Sequence, residues 1–324
     1  MQLVLKAPAK INIGLVVKDK RIDGYHNIET IMVPIKLFDT LLLKRIDKGI
    51  RFSTSSTKVS RDMDNLVGKA ARIFYDKAHI KQGIEIRLIK KIPVGAGLGG
   101  GSSDAASVLL GLNKLYDNVL SLKQLKEIAV KIGTDVPFFL YRQPCIASGQ
   151  GEILKPIKIQ KLHIALYLPK FSVSTKWAYE QIDKKKNFKS RISNYEYSEI
   201  GVGLTHHRVL NTAKPKQKNR KLSSTTSEKG VGLTDRGFSF KLLKKRLINN
   251  ELAGVNVLVN NTFENVVFDK HPGLLVVKHA LLKQGAYLAS LSGSGSVVFG
   301  IFKKTLLQRA CKDFGKSVII TESL

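Results

Sequence analysis

A glycine-rich segment, PVGAGLGGGSSDAASVL at residues 93–109, constrains the fold more than any other part of the sequence. Five glycines lie within Gly95–Gly101, and glycine loses more conformational freedom on folding than any other residue, so the run needs a specific use. The preceding residues, IEIRLIKKI, alternate apolar and polar side chains as a half-buried strand does. The following residues place apolar side chains at helical spacing, which predicts a helix over Asp104–Tyr116 whose cap and first turn are Ser102, Ser103 and Asp104.

A strand, a glycine loop and a helix N-terminus in this order are typical of an anion site. Unpaired backbone amides and the positive end of the helix dipole converge at such a loop, and phosphate is the anion that they suit best. We therefore predict a phosphate cradle formed by the amides and hydroxyls of Gly97, Gly99, Gly100, Gly101, Ser102 and Ser103.

Three well-known phosphate loops fit the sequence poorly. The dinucleotide fingerprint GxGxxG is present at Gly95–Gly100, but the position about 20 residues further on, near Asp117, belongs to no predicted strand. The Walker loop needs GxxxxGK[ST], and the GKS at Gly315–Ser317 has Ala310 where the first glycine belongs. A protein kinase needs an HRD tripeptide in its catalytic loop, and HRD does not occur in the sequence.

The glycine loop and other segments in order resemble the motifs of the GHMP small-molecule kinases, the superfamily of galactokinase, homoserine kinase, mevalonate kinase and phosphomevalonate kinase. The N-terminal signature matches APAKINIGLVVKDKRIDGYHNIETI at Ala7–Ile31, and the third, glycine-rich motif matches LSGSGSVVFGIF at Leu291–Phe302. DNLV at Asp64–Val67 is also typical. Within the superfamily, DGYH at Asp23–His26 and GTDVPFFL at Gly133–Leu140 are similar to those of members that phosphorylate a cytidylyl compound. The resemblance implies an α+β fold with two domains, an active site in the cleft between them, and ATP with Mg²⁺ as cosubstrate and cofactor.

The 324 residues suffice for two domains. The resemblance implies an N-terminal ATP-binding domain over 1–155 and a C-terminal substrate domain over 156–324. It lapses over a basic insertion at about 184–240, in which residues 184–229 carry 12 Lys/Arg against 3 Glu. Two copies of GVGLT, at 201–205 and 230–234, flank the stretch AKPKQKNRKLSSTTSEKG within this insertion. Few large apolar residues and many like charges predict a solvated, flexible segment.

Site residues follow from the resemblance, position by position. It implies that Asp135 is the catalytic base and that Lys10 faces it, and the apolar residues around Asp135 favour a fixed, dry carboxylate. It adds Pro93, Gly95, Leu98 and Asn65 to the ATP-binding residues, and places the Lys90 or Lys91 region toward the adenosine. On the acceptor side it implies that Tyr25 and Tyr179 stack on the cytosine ring, with Trp177 competing for the second place, that His26 reads the edge of the ring, and that Asn12 touches the acceptor. The metal ligands stay open, since Asp104 is a cap as easily as a ligand.

Two other functions stay open from the sequence. A different kinase of the superfamily would share the loop and Asp135 without needing DGYH. A non-catalytic nucleic-acid-binding protein would explain the net charge of +29, but the stretch AKPKQKNRKLSSTTSEKG at residues 213–230 lacks the interleaved aromatic residues of a stacking surface, so we expect nonspecific binding at most. One departure from the family pattern is Thr262, at a position where an acidic residue is expected.

Composition bounds the setting of the protein. Two cysteines, Cys145 and Cys311, form no disulfide or metal pattern, and no apolar run approaches the length of a membrane span, so a cytoplasmic protein without membrane contact is expected. A small-molecule cytidylyl substrate is the expected partner. The sequence does not predict an oligomeric state.

Overall fold

Two long antiparallel strands, β1 (Gln2–Lys20) and β2 (His26–Ile46), form the centre of the computed structural model, which describes residues 2–60, 62–185 and 239–324. The sequence pattern predicts two short strands in place of each, at Leu3–Leu5 and Ile11–Val17 for β1 and at Ile28–Pro34 and Leu41–Ile46 for β2. The register shifts next to Pro8, and an irregularity of this kind accommodates a proline, which has no amide hydrogen for the ladder. Each predicted pair of strands is therefore one continuous strand.

The first sheet is built around β2. Among the described residues it has six strands in the order β3–β4–β2–β5–β6, with β1 also paired to β2, and only the β3–β4 pair is parallel. Four helices bury an apolar core with these strands. The added elements are β3 (Ile50–Thr54), α1 (Leu66–Ala78), β4 (Gly83–Ile89), α2 (Gly100–Leu115), α3 (Leu122–Ile132), α4 (Val136–Tyr141), β5 (Cys145–Ser148) and β6 (Ile153–Pro156).

The second sheet is antiparallel throughout, in the order β10–β7–β9–β8. Its strands are β7 (His163–Tyr167), β8 (Leu288–Leu291), β9 (Val298–Phe302) and β10 (Val318–Glu322). The accompanying helices are α5 at residues 175–185, α6 (Phe240–Ile248), α7 (Glu264–Lys270), α8 (Pro272–Lys283) and α9 (Lys304–Ala310), with 3₁₀ turns at Val255–Leu258 and Lys312–Ser317. The predicted α+β class is confirmed.

Both sheets lie in one compact unit made of residues 1–182 and 238–324. The predicted domain boundary at 155/156 stays a prediction. Of the second unit, 183–237, the structure describes residues 183–185, so the predicted basic insertion lies almost wholly outside the described residues. None of the helices in the described ranges is long and apolar enough to cross a membrane. Cys145 and Cys311 are free and buried.

Candidate active site

A cavity of about 800 Å³ opens beside the glycine-rich loop. One wall comes from residues before 156 and the other from residues after 174. The first wall contains Lys10, Asn12, Asn65, Asp135, the predicted ATP-binding residues Pro93, Gly95 and Leu98, and the predicted cradle residues Gly97, Gly99, Gly100, Gly101 and Ser102. Ser103, the remaining cradle residue, is completely buried and does not line the cavity. The second wall contains Thr175, Tyr179, Phe263, Gly293 and Ser294.

The glycine loop runs into α2 earlier than the sequence predicts. The helix begins at Gly100, and its first bond joins the Ser103 amide to the Gly99 carbonyl at 2.9 Å. Gly99 is the N-cap, with φ +68°, a backbone conformation that favours glycine. Of the residues predicted as the cap and first turn, Ser102 and Ser103 lie in the first turn, but none is the cap, because Gly99 takes that position without a side-chain hydrogen bond. The amides of the first turn, from Gly100 to Ser102, consequently have no helical acceptor and face the loop.

A second glycine-containing loop, residues 292–296, packs directly on the first. A Cβ at Gly97, whose φ is +77°, would lie 2.0 Å from the carbonyl oxygen of Ser292, so no other residue fits there. The Ser292 hydroxyl donates to the Gly97 carbonyl at 3.0 Å, and the Val297 amide donates to the Ala96 carbonyl at 3.3 Å. The two loops therefore form one rigid wall of the cavity.

Residues at and just before the start of α7 hold the second loop and the strand that leads into it, and no sequence feature identifies Asn261 or Glu264 as part of the site. The Asn261 amide donates to the carbonyls of Leu291 and Gly293 at 2.8 and 2.9 Å, and Glu264 accepts from the Leu291 amide at 2.9 Å. Thr262, the departure from the family pattern, accepts from the Val17 amide at 3.0 Å through its hydroxyl and so fastens this turn to β1. The hydroxyl of Thr262 thus accepts this hydrogen bond without the negative charge of the acidic residue expected there.

Lys10 and Asp135 meet in the cavity. Lys10 Nζ lies 3.6 Å from Asp135 Oδ2 and donates to the Asn12 side-chain oxygen. Lys10 is buried on β1, whereas the Asp135 side chain is about one third exposed to the cavity. Asp135 stands at the N-cap position of α4, but its side chain makes no capping hydrogen bond. Its carboxylate is therefore available to a ligand.

A buried cluster of one lysine and two carboxylates supports both ends of the glycine loop. Lys90 Nζ pairs with Asp39 on β2 and, at 2.8 Å, with Asp104 on α2. Asp39 also accepts from the amides of Lys91 and Ile92, where the chain enters the loop. Lys90 lines the cavity, but its ammonium is paired with these two carboxylates. The charge of Lys90 is therefore not available for the expected contact with adenosine.

The charges in this buried cluster do not balance. Burial raises the pKa of Asp104 to about 8, and the neighbouring Asp39 adds to the rise while Lys90 opposes it. Burial by itself would lower the pKa of Lys90, but the charges of Asp104 and Asp39 outweigh it and the pKa is raised. Two carboxylates thus compete for one ammonium, and Asp104 is the weaker competitor.

The residues expected to hold a base are only partly together. Tyr179 on α5 lines the cavity and stacks on His26, with ring centroids 5.2 Å apart and 16° between the planes. Burial, with a contribution from the charge of Asp135, raises the pKa of Tyr179 to about 12, so its hydroxyl stays protonated at neutral pH. Tyr25 is exposed, and it is not among the described residues that line the cavity. Trp177 packs under Lys270, whose ammonium is 4.1 Å from the ring centroid.

Asn65 has a structural task beside the cavity. It is the N-cap of α1, where its oxygen accepts from the Gly68 amide at 2.9 Å. Its amide nitrogen donates to the carbonyls of Ser60 and Asp62. These bonds fix the loop before α1 against the cavity. Within the described residues, no group of three or more His, Cys, Asp or Glu side chains could hold a metal ion.

Comparisons with known proteins agree with this geometry. The family described as GHMP kinases N terminal domain matches residues 65–143, and the family described as GHMP kinases C terminal matches residues 240–318. A 4-diphosphocytidyl-2-C-methyl-D-erythritol kinase of Thermodesulfovibrio yellowstonii is 36% identical over 96% of this chain and 94% of its own length. The protein of that name from Clostridioides difficile is 36% identical over 92% of this chain and 86% of its own length.

Solved structures show the same relationship. The crystal structure of a 4-(cytidine 5'-diphospho)-2C-methyl-D-erythritol kinase aligns with a TM-score of 0.72 at 27% identity and covers 99% of each chain. A homoserine kinase from Cytophaga hutchinsonii aligns with a TM-score of 0.67 at 19% identity, over 100% of this chain and 94% of its own. The second similarity concerns the fold alone.

Proposed function

This chain belongs to the GHMP kinase family, among the 4-diphosphocytidyl-2-C-methyl-D-erythritol kinases, and we propose from this premise that its cavity binds ATP beside that cytidylyl acceptor. The reaction transfers the γ-phosphoryl group to the 2-hydroxyl of the acceptor and releases the 2-phosphate and ADP. It is a step of non-mevalonate isoprenoid precursor biosynthesis. The observation that carries the proposal is the Lys10–Asp135 pair, which lies in the same cavity as the glycine loop.

Phosphoryl transfer asks the protein mainly to position and neutralise charge. Asp135 accepts the proton of the acceptor hydroxyl while the hydroxyl oxygen attacks the γ-phosphorus and the bond to the β–γ bridging oxygen breaks. The Lys10 ammonium, 3.6 Å from the carboxylate, stabilises the negative charge that develops on the attacking oxygen, which raises the rate.

The ATP side of the cavity is the glycine wall. Free amides at the start of α2 and the dipole of that helix receive the phosphates. The rigid contact between Gly97 and Ser292 keeps the backbone close to the ligand. Asn65 holds the loop before α1 on the same side, and Pro93, Gly95 and Leu98 complete the wall.

Mg²⁺ would accompany ATP, and the oxygen groups of the wall suit it. Such an ion takes most of its ligands from phosphate oxygens and water and needs few protein groups. The Ser102 hydroxyl, on the cavity wall in the first turn of α2, would complete its coordination shell. When bound, the ion neutralises charge on the β- and γ-phosphates.

The acceptor side holds the cytosine ring. Tyr179 offers a ring face already aligned with His26, and the DGYH turn carries Tyr25 on the exposed side of the same region, from which it would close over the ring. His26 reads the polar edge of the base, since stacking alone does not distinguish bases. Asn12, next to Lys10 on the cavity wall, contacts the acceptor near its reacting hydroxyl.

The stacking role of Tyr179 predicts a selective loss. Tyr179→Ala should raise the KM for the cytidylyl substrate by the equivalent of about 1 to 3 kcal/mol, because one base–aromatic contact is lost, and leave the KM for ATP nearly unchanged. Tyr179→Phe, which keeps the ring and removes the hydroxyl, is the matched control and should stay near wild type. Steady-state kinetics with each substrate varied in turn measure both values. Equal losses for the two substrates would assign Tyr179 to the fold instead.

A coupled ADP-release assay tests the proposed function as a whole. We expect turnover with 4-diphosphocytidyl-2-C-methyl-D-erythritol and ATP, and product analysis should place the new phosphate on the 2-hydroxyl. Homoserine and mevalonate are the comparison acceptors, because they belong to other kinases with this fold. Faster turnover of either one than of the cytidylyl compound would overturn the proposal.

A further inference from the structure

A chain of buried hydrogen bonds runs from Lys10 away from the cavity. Lys10 Nζ donates to the side-chain oxygen of Asn12, and Asn12 Nδ2 donates to the hydroxyl of Thr30 at 3.1 Å. The Thr30 hydroxyl donates in turn to the carbonyl of Gly14 at 2.6 Å. All three side chains are buried, and Thr30 is completely so. The Thr30 end of the chain is therefore closed to bulk water, whereas Lys10 and Asn12 lie on the cavity wall.

Both ends of this chain fix the direction of every bond in it. An ammonium only donates, so the Asn12 atom that faces Lys10 must be the oxygen. A peptide carbonyl only accepts, so the single hydroxyl proton of Thr30 points to Gly14 and its lone pairs face Asn12. The Asn12 amide can satisfy both neighbours in one orientation only. Thr30 thus selects which atom Asn12 presents to Lys10.

The backbone explains why a hydroxyl is needed at position 30. β1 and β2 shift register between Ile13 and Leu15, which leaves Gly14 as the extra residue of a bulge with φ +65°. A bulge leaves its residue outside the regular ladder, and a buried carbonyl without a partner is costly. Thr30, paired with Leu15 across the ladder, supplies the missing donor. The same hydroxyl oxygen accepts the hydrogen bond from Asn12 Nδ2.

We propose that Thr30 is a positioning residue for phosphoryl transfer, which holds the Asn12 amide so that its oxygen fixes the Lys10 ammonium beside Asp135. This inference rests on the proposed roles of Lys10 and Asp135. Thr30 is completely buried and does not line the cavity, so it contacts neither ATP nor the acceptor and acts through Asn12. Loss of its hydroxyl frees the Asn12 amide to rotate and lets the ammonium leave the 3.6 Å position. A misplacement of about 1 Å at a reacting centre can lower the rate by about 10²-fold.

Two matched pairs of variants test the role of the hydroxyl. Thr30→Val exchanges the hydroxyl for a methyl group, and Thr30→Ala differs from Thr30→Ser only by the hydroxyl. We expect Thr30→Val and Thr30→Ala to lower kcat by about 10- to 100-fold with little change in the KM for ATP, and Thr30→Ser to stay within a few-fold of wild type. Thr321→Val is the control for the substitution itself, because Thr321 is a buried strand residue of β10 whose hydroxyl has no partner within the described residues. It should leave kcat unchanged.

A double-mutant cycle separates positioning from a general structural effect. In an Asn12→Ala background, Thr30→Val should lower kcat by no more than about twofold further, because the residue through which it acts is gone. Equal effects of Thr30→Val in both backgrounds would overturn the proposal, as would full activity of Thr30→Val or a loss in Thr30→Ser as large as in Thr30→Ala. If Thr30→Val does not fold, the comparison of serine with alanine decides. A wild-type protein without turnover would overturn the proposed function and this role together, whereas an active wild type with active alanine and valine variants overturns this role alone.

Discussion

Asp135→Asn should lower kcat by about 10²-fold or more while ATP still binds. Asparagine keeps the shape of the side chain and its place before α4, but its amide does not accept a proton from the acceptor hydroxyl. The carboxylate makes no capping bond that the variant would lose, so the fold should be unaffected. Steady-state ADP release measures kcat, and calorimetric titration measures ATP affinity.

The partner charge should matter to a similar degree. Lys10→Met removes the ammonium from the Asp135 carboxylate and also removes the donor to Asn12. We expect a fall in kcat comparable with that of Asp135→Asn, and a double variant little worse than either single one, because residues that act as a unit are not additive.

The control for these variants makes the same chemical change outside the cavity. Asp117 is an exposed carboxylate after α2 with φ +58°, a conformation that asparagine tolerates. Asp117→Asn should keep wild-type kcat. If Asp135→Asn keeps more than about a tenth of kcat, the proton goes elsewhere, and Asp135 is a binding residue and not the base.

The glycine loop could be predicted from the sequence because its chemistry is local. A glycine run between a strand pattern and a helix pattern has few uses, and the amides at the start of α2 lie where that reasoning places them. The predicted start of α2, Asp104, is four residues later than the observed start at Gly100. The N-cap Gly99 has no side chain to accept a capping hydrogen bond, so it lacks the usual sequence signal of a helix start. Asp135 and Lys10 came from the family resemblance, and the structure brings them within 3.6 Å.

The supports of the site could not be predicted because they depend on pairing between distant segments. Asp39 in KLFD gives no indication that its carboxylate is completely buried under the entrance of the loop. Thr30 has the same sequence appearance as the other threonines of the described strands, and only the bulge at Gly14 gives its hydroxyl two partners. Asn261 becomes part of the site only because the second glycine loop folds back onto it.

Asp39→Ala should lower the free energy of unfolding by about 2 to 6 kcal/mol, because two backbone amides lose their acceptor at a cost of about 1 to 3 kcal/mol each. The change leaves Lys90 with one carboxylate and leaves the amides of Lys91 and Ile92 without their acceptor. Because those amides lie where the chain enters the glycine loop, ATP affinity should fall as well. Chemical denaturation measures the stability at pH 7.

Asp104 provides the matched comparison, since it is the second carboxylate on the same lysine. Its Oδ1 is buried without a partner within the described residues. Asp104→Asn keeps the bond from Lys90 to the other side-chain oxygen and places an amide donor where the protonated wild-type carboxyl places its hydroxyl, so both proteins bury one donor without an acceptor at low pH. The variant also removes the surplus negative charge. We therefore expect Asp104→Asn to cost little at low pH and to stabilise the protein at high pH.

The direction of this pH dependence follows from the pKa of Asp104, which burial raises to about 8. Between the unfolded value near 4 and the folded value, the folded protein holds a proton that the unfolded chain has released, so this group makes stability fall as pH rises. Above about pH 8 both states are ionised and its contribution is constant.

The unfolding free energies of Asp104→Asn and wild type should be similar at pH 5, and at pH 9 the variant should be more stable by at least about 1 kcal/mol, roughly one unit of pKa shift. The raised pKa of Lys90 keeps its charge through this range, so the difference between the two proteins isolates Asp104. A difference that does not grow between pH 5 and pH 9 would show that Lys90 neutralises Asp104 fully and that the cluster carries no surplus charge.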